Sequence, residues 1–473
     1  MAINWQTRAV LAAGLSLTLL LGVWADWAAD PFIRNDDYLT FFPAPDLLYQ
    51  NTLNEGRWLN QVWAWRGFQI PAPWAYAIAM GLWCLSMSLA AAKVFARDDA
   101  PWRTLIAAAA LATAPQWAQL MFWFNIQVSN AAVLAVSIAA LCIADQRRIL
   151  WILPAAVTAA VLSYPTNAFI ILAVALAVTP ATGMGARWAI CGVFLVSLLG
   201  ALALSMGINY AAHGLFGLVL PDWRQAAVAT DLDGLVRNID RLAGGAPGGV
   251  AAVVVAVVAV IVLTFVIALR SDRPVQQRGL ALGLSLSLLV LAVVTVISGV
   301  LVPNRSTGFI WVFLFLAAAT SAARGRLSAA IVMVLFLPTG LLGWWLQFDP
   351  AFERYQERTR ALATEIQTES PEADLIVLEG PLSAWPETDV IMEPLAFSWR
   401  LQHLTFAKAV HCPPGISPPL PPEPSLVEAP RFELEVARRA ACQKHRAAIQ
   451  ALPADQPDPA EIAPGVVAVR LAR

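Results

Sequence analysis

Residue types suited to group-transfer chemistry are concentrated in one stretch of this sequence, residues 34–65 (RNDDYLTFFPAPDLLYQNTLNEGRWLNQVWAW). Two adjacent carboxylates, Asp36 and Asp37, are followed in the same stretch by an arginine, Arg57. A carboxylate can remove a proton from an attacking hydroxyl, and an arginine can stabilise the charge of an anionic leaving group. The stretch also contains Asp46, Glu55, Trp58, Trp63 and Trp65.

The two adjacent carboxylates can have different roles. On a regular backbone, the side chains of Asp36 and Asp37 diverge. One carboxylate can then face the attacking hydroxyl of an acceptor substrate, while the other holds a partner group or binds a divalent cation such as Mg²⁺ or Mn²⁺. Glu55 and Arg57 precede the next apolar segment, so their side chains could lie at the same membrane surface as the two aspartates. The alternative is a solvated acidic turn in which Arg57 forms an ion pair.

The composition places these polar residues in a membrane protein. Of the 473 residues, 59% are hydrophobic and 13% are charged, and the mean hydropathy is +0.63. The charged fraction is about half the quarter that is usual in a soluble domain, so most of the chain is expected in a bilayer. The net charge of -1 says nothing about partners, and no basic block of the sequence suggests a nucleic-acid partner.

Eleven apolar segments are expected to span the membrane. A spanning helix needs roughly 20 mostly apolar residues. The run 149–179 counts as two segments, because Pro165 in SYPTN (residues 163–167) removes a backbone donor; one kinked helix would make the total ten. The other nine segments are Val10–Ala29, Pro73–Phe95, Thr104–Phe124, Ile126–Ala144, Trp188–Asn209, Val250–Leu269, Gly279–Val302, Thr307–Ala323 and Leu327–Phe348.

The distribution of arginines and lysines orients these segments. With eleven spans and a cytoplasmic N-terminus, the short inner loops carry most of the positive charge, as the positive-inside rule requires. The acidic stretch and everything after Phe348 then face outward. We therefore predict a multi-pass protein of a bacterial inner membrane, with a transmembrane domain at residues 1–348 and an external domain at 349–473.

Three further features lie on the outer side of this topology. Tyr164 is in the SYPTN break, and irregular backbone at membrane depth is tolerated where it is buried in protein or lines a wet cavity. Arg305 stands alone in a short turn and needs an anionic partner, either a lipid headgroup or a phosphate on a lipid-linked substrate. Residues 232–242 have apolar side chains at helical spacing, which predicts an amphipathic helix on the outer membrane surface.

The last 125 residues are predicted to form a small α/β domain with its own core. The patterns favour helices at 354–368, 394–410 and 432–451, and strands at 374–380 and 465–472. Cys412 and Cys442 are expected to form a disulfide in an oxidising compartment. A zinc site with the nearby His411 and His445 is a weaker alternative, because the spacing matches no strong zinc pattern.

Several short motifs, taken in order, resemble one enzyme family. NDDY after the first apolar segment and EGRWLNQ (residues 55–61) look like the Asp-Asp and Gly-Arg elements of the GtrII-type glucosyltransferases. These belong to the GT-C superfamily of polyprenyl-phosphate-sugar glycosyltransferases. SYPTN and Arg305 are similar to that family's later break and outer-loop arginine. The chain departs from the pattern in YLTFF, which lacks a nearby arginine, and in Tyr-Pro where the family has Tyr-Gln.

The resemblance implies a mainly α, GT-C-like fold with a small external α/β domain. It implies transfer of a sugar such as glucose, with inversion, from a polyprenyl-phosphate donor to an external glycan or lipid-linked acceptor. The implied catalytic residues are Asp36 as the base and Asp37 as its alternate or as a metal-bracing residue. The implied substrate-binding residues are Glu55, Arg57, Tyr164 and Arg305, with the two arginines on the phosphate.

Two rival functions are compatible with the composition. A lipid or glycan transporter or flippase would have ionisable residues at mid-membrane depth, and the predicted spans are nearly free of them. A glycan polymerase or ligase would instead depend on the arginines of the second long outer loop, Arg224, Arg237 and Arg241.

Overall fold

A computed structural model describes residues 4–34, 37, 49, 52–53, 55–66, 68, 70–96, 101–180, 183–219, 227–242, 275–300, 302–322, 326–347, 350–380, 394–413, 429–452 and 459–471. These residues are mostly helical, with one four-stranded sheet near the C-terminus. Asp36, Asp46, Arg224 and the predicted span Val250–Leu269 lie outside the described residues.

The helical part of the chain precedes the sheet. Its first helices are α1 (Trp5–Val23), α2 (Ala25–Ala29), α3 (Trp58–Ala64), α4 (Ala72–Val94), α5 (Pro101–Ala112), α6 (Pro115–Leu120), α7 (Phe124–Ile143), α8 (Gln146–Val161), α9 (Asn167–Val178) and α10 (Met184–His213). They are followed by α11 (Leu232–Leu242), α12 (Val275–Ser298), α13 (Gly308–Ala322) and α14 (Arg326–Trp345). Single 3-10 turns at Met121–Trp123 and Asn304–Thr307 precede α7 and α13.

Local signals explain several helix boundaries. Asn4 and Asp145 cap α1 and α8 by accepting the amides of Thr7 and Arg148, each at 2.8 Å. Pro115 is at the start of α6, where its missing N–H leaves no intrahelical bond unmade. Pro115 therefore divides the predicted span Thr104–Phe124 into two helices.

Helix α4 is at the centre of the helical part and packs on α1, α5 and α7. Much of its buried surface consists of small side chains, such as Ala75, Ala79 and Ala91. Small residues let helix backbones approach closely in lipid, where the hydrophobic effect does not drive helix association. Trp83 of α4 stacks on Trp117 of α6, with ring centroids 4.0 Å apart, which fixes α6 against α4.

Helix α9 is buried on every side. All of its residues, Asn167 to Val178, are buried, as expected for a helix that is apolar all round. Its 12 residues span about 18 Å, against the roughly 30 Å of a bilayer core. Helix α9 is therefore too short to cross a bilayer core by itself, and the turn that precedes it contains Tyr164. The predicted division of residues 149–179 into two helices is confirmed.

Five helical segments of the described chain are long and apolar enough to cross a membrane: Trp5–Val23, Ala72–Val94, Pro115–Ile143, Met184–His213 and Val275–Ser298. The chain is a mainly α-helical membrane protein. The predicted count of eleven spans is wrong for these residues. Several predicted spans are shorter helices, since breaks at Pro115 and Pro165 interrupt the apolar runs.

The C-terminal part forms a sheet covered by helices. Its elements are α15 (Pro350–Glu369), β1 (Leu375–Glu379), α16 (Pro394–Thr405), β2 (Lys408–Cys412), α17 (Ala429–Gln450), β3 (Ala460–Ala463) and β4 (Val466–Arg470). The strand order is β2-β1-β4-β3, in which β1 is parallel to β2 and β4, and β3 is antiparallel to β4. Alternate strand residues face two cores: Ile376 and Val467 pack towards α16, and Val377 and Ala468 towards α17.

The sequence predictions for this part are mostly confirmed. The strands near 375 and 466 and the helices near 354 and 432 are present, and Cys412 and Cys442 form the predicted disulfide. The single helix predicted at 394–410 is wrong. It ends at Thr405, because Phe406 has a φ of 62°, and the chain then enters β2. Strand β3 was not predicted.

The C-terminal part is attached to the helical part by an ion pair and an aromatic cluster. Arg400 of α16 donates to both carboxylate oxygens of Asp30, at 2.7 and 2.5 Å, and Arg360 adds a contact of 3.1 Å. Phe352 of α15 stacks on Phe32 at 4.2 Å and meets Phe122 at 5.4 Å. The sheet therefore lies at the end of the helical part where α2 ends and α7 begins.

The amphipathic helix α11 is present and is tethered at its polar face. Asn238 donates to the carbonyls of Ala227 and Val296, at 2.6 and 2.8 Å, and Arg241 donates to that of Gly299 at 2.6 Å. Leu232 and Val236 are exposed. Arg241 thus holds α11 against the end of α12.

Candidate active site

Asp37 is fully buried at the N-terminus of α7. Its two carboxylate oxygens accept the backbone amides of Asn125 and Ile126, at 2.8 and 2.9 Å. A carboxylate is favoured there because the first amides of a helix have no intrahelical partner and the helix dipole is positive at that end. Asp37 therefore fixes the acidic segment to the start of α7.

The surroundings of Asp37 are electropositive. Besides the amides of α7, Arg66 lies near it: burial lowers the pKa of Arg66, and the negative charge of Asp37 opposes that lowering. Trp63 donates to the side-chain oxygen of Asn125 at 3.4 Å, which brings α3 to the same helix end. These surroundings stabilise the negative charge of Asp37.

The indole of Trp123, just before α7, contacts two arginines. The guanidinium carbons of Arg34 and Arg305 lie 5.1 and 4.5 Å from its ring centroid. The amide of Arg34 donates to the carbonyl of Phe122 at 2.9 Å, so backbone pairing holds this arginine beside the ring. Arg305 makes no ion pair with any residue that the structure describes.

A second aromatic contact connects Arg305 to the Gly-Arg element. Ser306, next to Arg305, shares a hydrogen bond of 2.9 Å with the hydroxyl of Tyr164. The guanidinium of Arg57 lies 4.7 Å from the ring centroid of Tyr164, and Arg57 pairs with Glu55 at 3.1 Å. Arg57, Tyr164 and Arg305 therefore belong to one group of contacts.

Gly56 explains why Arg57 reaches this position. Its φ of +65° lies in the left-handed region, and a Cβ there would meet Ser205 Oγ at 2.3 Å. Ser205 of α10 donates to the Gly56 carbonyl at 3.1 Å. Glycine thus lets the loop lie directly on α10 and turn Arg57 towards Tyr164.

The loop before Gly56 is held by a cluster around His213. The ring of His213 shares a hydrogen bond of 2.9 Å with Thr52 and lies 4.5 Å from the ring of Tyr49. Trp58 donates to Asn209 at 2.8 Å. These contacts position Glu55 and Arg57 on α10 and assign His213 a structural role.

A crevice opens beside the arginines, at the breaks between helices. It is small, with room for about one water molecule between its walls. Its wall combines apolar and polar side chains from α4, α6, the α8–α9 turn and the start of α13: Trp83, Ala114, Gln116, Trp117, Leu120, Tyr164, Thr166, Asn167, Ile170, Arg305, Ser306, Gly308 and Phe309. In this conformation it is narrow, so a sugar ring would require its walls to separate.

The structure brings together five of the six site residues predicted from the sequence. Contacts lead from Asp37 through the start of α7 to Trp123 and Arg305, and from there to Tyr164, Arg57 and Glu55. Asp36 precedes Asp37 in the chain and is outside the described residues. The predicted site residues did not include Arg34, Trp123 or Ser306, although Arg34 and Ser306 lie within two positions of Asp36 and Arg305.

The described residues include no group of three His, Cys, Asp or Glu side chains that could hold a metal ion. The divalent cation considered for the acidic pair therefore stays a prediction. His411, one of the residues considered for zinc, instead shares a hydrogen bond of 2.8 Å with the carbonyl of Gly380.

The chain was compared with protein-family models, with curated proteins and with solved structures. The chain matches no protein-family model, no curated protein and no solved structure.

Proposed function

We propose that this chain is an integral-membrane glycosyltransferase. It would move a sugar from a polyprenyl-phosphate donor to an external glycan or lipid-linked acceptor, with glucose as the sugar implied by the family resemblance. The supporting observation is the group of arginines around Trp123 and Tyr164, beside a crevice and a buried carboxylate.

The arginine group suits a phosphate that arrives on a lipid. Guanidinium binds phosphate oxygens through paired N–H donors, and its contact with an aromatic ring leaves these donors usable. Arg305 has no carboxylate partner among the described residues, so a ligand phosphate could supply the negative charge. The proposal places the adjacent turn at Tyr164 within membrane depth, where the phosphate of a lipid donor can reach it.

The proposed reaction is a single displacement. A base removes the proton of the acceptor hydroxyl, and the acceptor oxygen forms a bond to the anomeric carbon of the sugar. The bond from that carbon to the phosphate oxygen breaks, and polyprenyl phosphate leaves with its electron pair and one additional negative charge. Arg57 and Arg305 stabilise that charge, which is larger after bond cleavage than before it.

The two adjacent carboxylates have different roles in this proposal. Asp37 has its oxygens on the amides of α7, so it is assigned the positioning role. Asp36 is assigned the role of base, as the family resemblance implies. Glu55 orients Arg57 through their ion pair, and Tyr164 holds Arg57 and Ser306 beside the crevice.

The finer topology belongs to the same proposal. We place the protein in a bacterial inner membrane, with a GT-C-like helical part and with its N-terminus in the cytoplasm. The arginine group and the C-terminal part would lie on the external side. They lie at the same end of the helical part, since Phe122, which contacts the C-terminal Phe352, directly precedes Trp123. The C-terminal part is then placed to select the acceptor.

The test is sugar transfer in vitro from labelled polyprenyl-phosphate sugars by the purified full-length protein. Wild type should transfer the label, and Asp36→Asn should lower the rate by about 10²- to 10⁴-fold, because a general base contributes that much. Folding of the variant is checked by its melting temperature. Equal rates for both proteins would remove Asp36 as the base. Absence of transfer with every donor and acceptor pair would contradict the enzyme.

A further inference from the structure

Three residues that line the crevice have buried polar atoms without hydrogen-bond partners in the described part of the chain. They are Gln116 Oε1, Trp117 Nε1 and Asn167 Nδ2. The side chains of Trp117 and Asn167 are each 2% exposed. A buried donor that makes no hydrogen bond lowers the stability of the folded protein. Their presence in one crevice indicates a site whose ligand completes the hydrogen bonding.

The hydrogen-bonding groups of the crevice are mostly donors. Trp117 Nε1 and Asn167 Nδ2 each offer an N–H, and the guanidinium of Arg305 lies in the same wall. The hydroxyls of Tyr164 and Ser306 share one hydrogen between them and retain another to donate. Such a set is complementary to a ligand group that only accepts, such as the oxygens of a phosphoryl group.

The helix ends at the crevice add positive potential. Helices α9 and α13 both begin there, at Asn167 and Gly308, and the N-terminal end of each dipole is positive. The first amide of α9 already donates to the carbonyl of Tyr164 at 2.9 Å. The helices therefore contribute a field, and the side chains make the contacts.

The packing of Trp117 disfavours a stacked sugar at this position. One face of its indole is covered by Trp83, with the planes inclined by 8° and the centroids 4.0 Å apart. The edge that carries Nε1 is the part with an unmet hydrogen bond. The crevice is also narrow, so its walls would have to separate for a phosphoryl group, but by less than for the larger sugar ring.

We propose that the crevice binds the phosphoryl group of a lipid phosphate, with Asn167 and Trp117 donating to its oxygens beside Arg305. Gln116 Oε1, the one unmet acceptor, would accept a hydroxyl of the attached sugar. This inference rests on the proposed function for the identity of the lipid. The phosphoryl group could come from polyprenyl phosphate or from a phospholipid headgroup of the bilayer.

The test measures binding, with the full-length protein in nanodiscs of uncharged lipid. The probes are a short-chain polyprenyl phosphate and, separately, phosphatidylglycerol. Trp117→Phe removes the donor and keeps an aromatic ring, and should weaken the binding of polyprenyl phosphate about tenfold, the size of a charge-assisted hydrogen bond. Asn167→Asp places a carboxylate beside the phosphate and should weaken binding further, because like charges repel.

Two matched changes elsewhere control for the loss of an indole N–H and for a buried amide-to-acid change. Trp311 donates its indole N–H to the carbonyl of Ala110 at 3.0 Å, and Asn130 donates to Gln127 at 2.9 Å; neither lines the crevice. Trp311→Phe and Asn130→Asp should leave the affinity unchanged. If Asn167→Asp does not fold, Trp117→Phe against Trp311→Phe decides the matter.

Weaker binding of polyprenyl phosphate by the crevice variants alone supports the inference. If phosphatidylglycerol instead shows the same dependence and the tighter binding, the phosphoryl site stands and the bilayer supplies its ligand. Wild-type affinity in both crevice variants would overturn the site. If binding depends on Trp117 but the protein transfers no sugar, the phosphoryl site is retained and the glycosyltransferase proposal is rejected. If the protein transfers sugar and the crevice variants bind as tightly as wild type, the glycosyltransferase proposal is retained and the phosphoryl site is rejected.

Discussion

Two sets of arginines lie at the same end of this molecule and have different partners. In the C-terminal part, Arg400 meets both oxygens of Asp30, and Arg438 meets both oxygens of Glu435. Beside the crevice, Arg305 meets the ring of Trp123, and Arg57 meets the ring of Tyr164 in addition to Glu55. One set is neutralised by carboxylates, and the other is held largely by aromatic rings.

The difference separates stability from binding. A buried ion pair with a carboxylate fixes the position of an arginine and occupies its N–H donors. Arg400 therefore attaches the C-terminal part to the helices. A ring contributes only about 0.5–1 kcal/mol at a partly exposed site and leaves the N–H groups for another ligand. Substitution of a carboxylate-paired arginine should therefore affect folding, whereas substitution of a ring-held arginine should affect ligand binding.

The largest effect on stability is expected at Arg400. Arg400→Met leaves Asp30 without its closest partner, and the loss of one member of a buried pair costs about 3–5 kcal/mol. Arg360→Met is the matched control, because Arg360 contacts the same carboxylate but is half exposed and should contribute at most about 1 kcal/mol. Thermal unfolding measures both. Equal losses of stability in the two variants would contradict the different contributions assigned to Arg400 and Arg360.

Asp37 is expected to have an intermediate effect. Asp37→Ala removes the acceptor of two amides at the start of α7 and should cost about 2 kcal/mol, the upper end for a helix cap. Asp145→Ala is the control, since Asp145 caps α8 from an exposed position and should cost about 0.5–1 kcal/mol. Sugar transfer should fall in Asp37→Ala alone, because Trp123 directly precedes α7. Unchanged transfer would remove Asp37 from the positioning role.

The effect of His403 on stability is absent at neutral pH and is expected only on acidification. Burial and the nearby Arg400 lower the pKa of His403 to about 4, while Asp30 opposes the shift. The unfolded chain binds a proton near pH 6.5 and the folded chain does not, so stability should fall as the pH falls from 6.5 towards 4. His403→Gln should reduce this slope in melting temperatures. An unchanged slope would indicate that other groups, such as His411, dominate.

Part of this structure could be predicted from the sequence because the signals are local. Pro165 breaks the run 149–179, alternating apolar residues form β1 and β4, and the spacing of apolar residues forms α11. The end of α16 could not be predicted, because Phe406 is a phenylalanine in the left-handed region, and no residue type marks that. The count of spans failed because a short helix such as α9 is buried by its neighbours instead of by lipid.

The candidate site could likewise be predicted only in part from the sequence. The types of Arg57, Tyr164 and Arg305 made them candidates, and the structure joins them through Trp123 and Ser306. The role of Asp37 as a cap could not be predicted, because its partners are backbone amides 88 and 89 residues away. Long-range contacts of this kind leave no mark in the sequence near either partner.

The central claim is that Arg305 has its charge available for a ligand phosphate. The most direct measurement compares sugar transfer from labelled polyprenyl-phosphate glucose by wild type and by Arg305→Gln, with melting temperatures recorded on the same samples. We predict a loss of transfer of about 10²-fold or more, as for other groups that stabilise transition-state charge, with no change in melting temperature. Transfer at the wild-type rate by a folded Arg305→Gln protein would contradict the account.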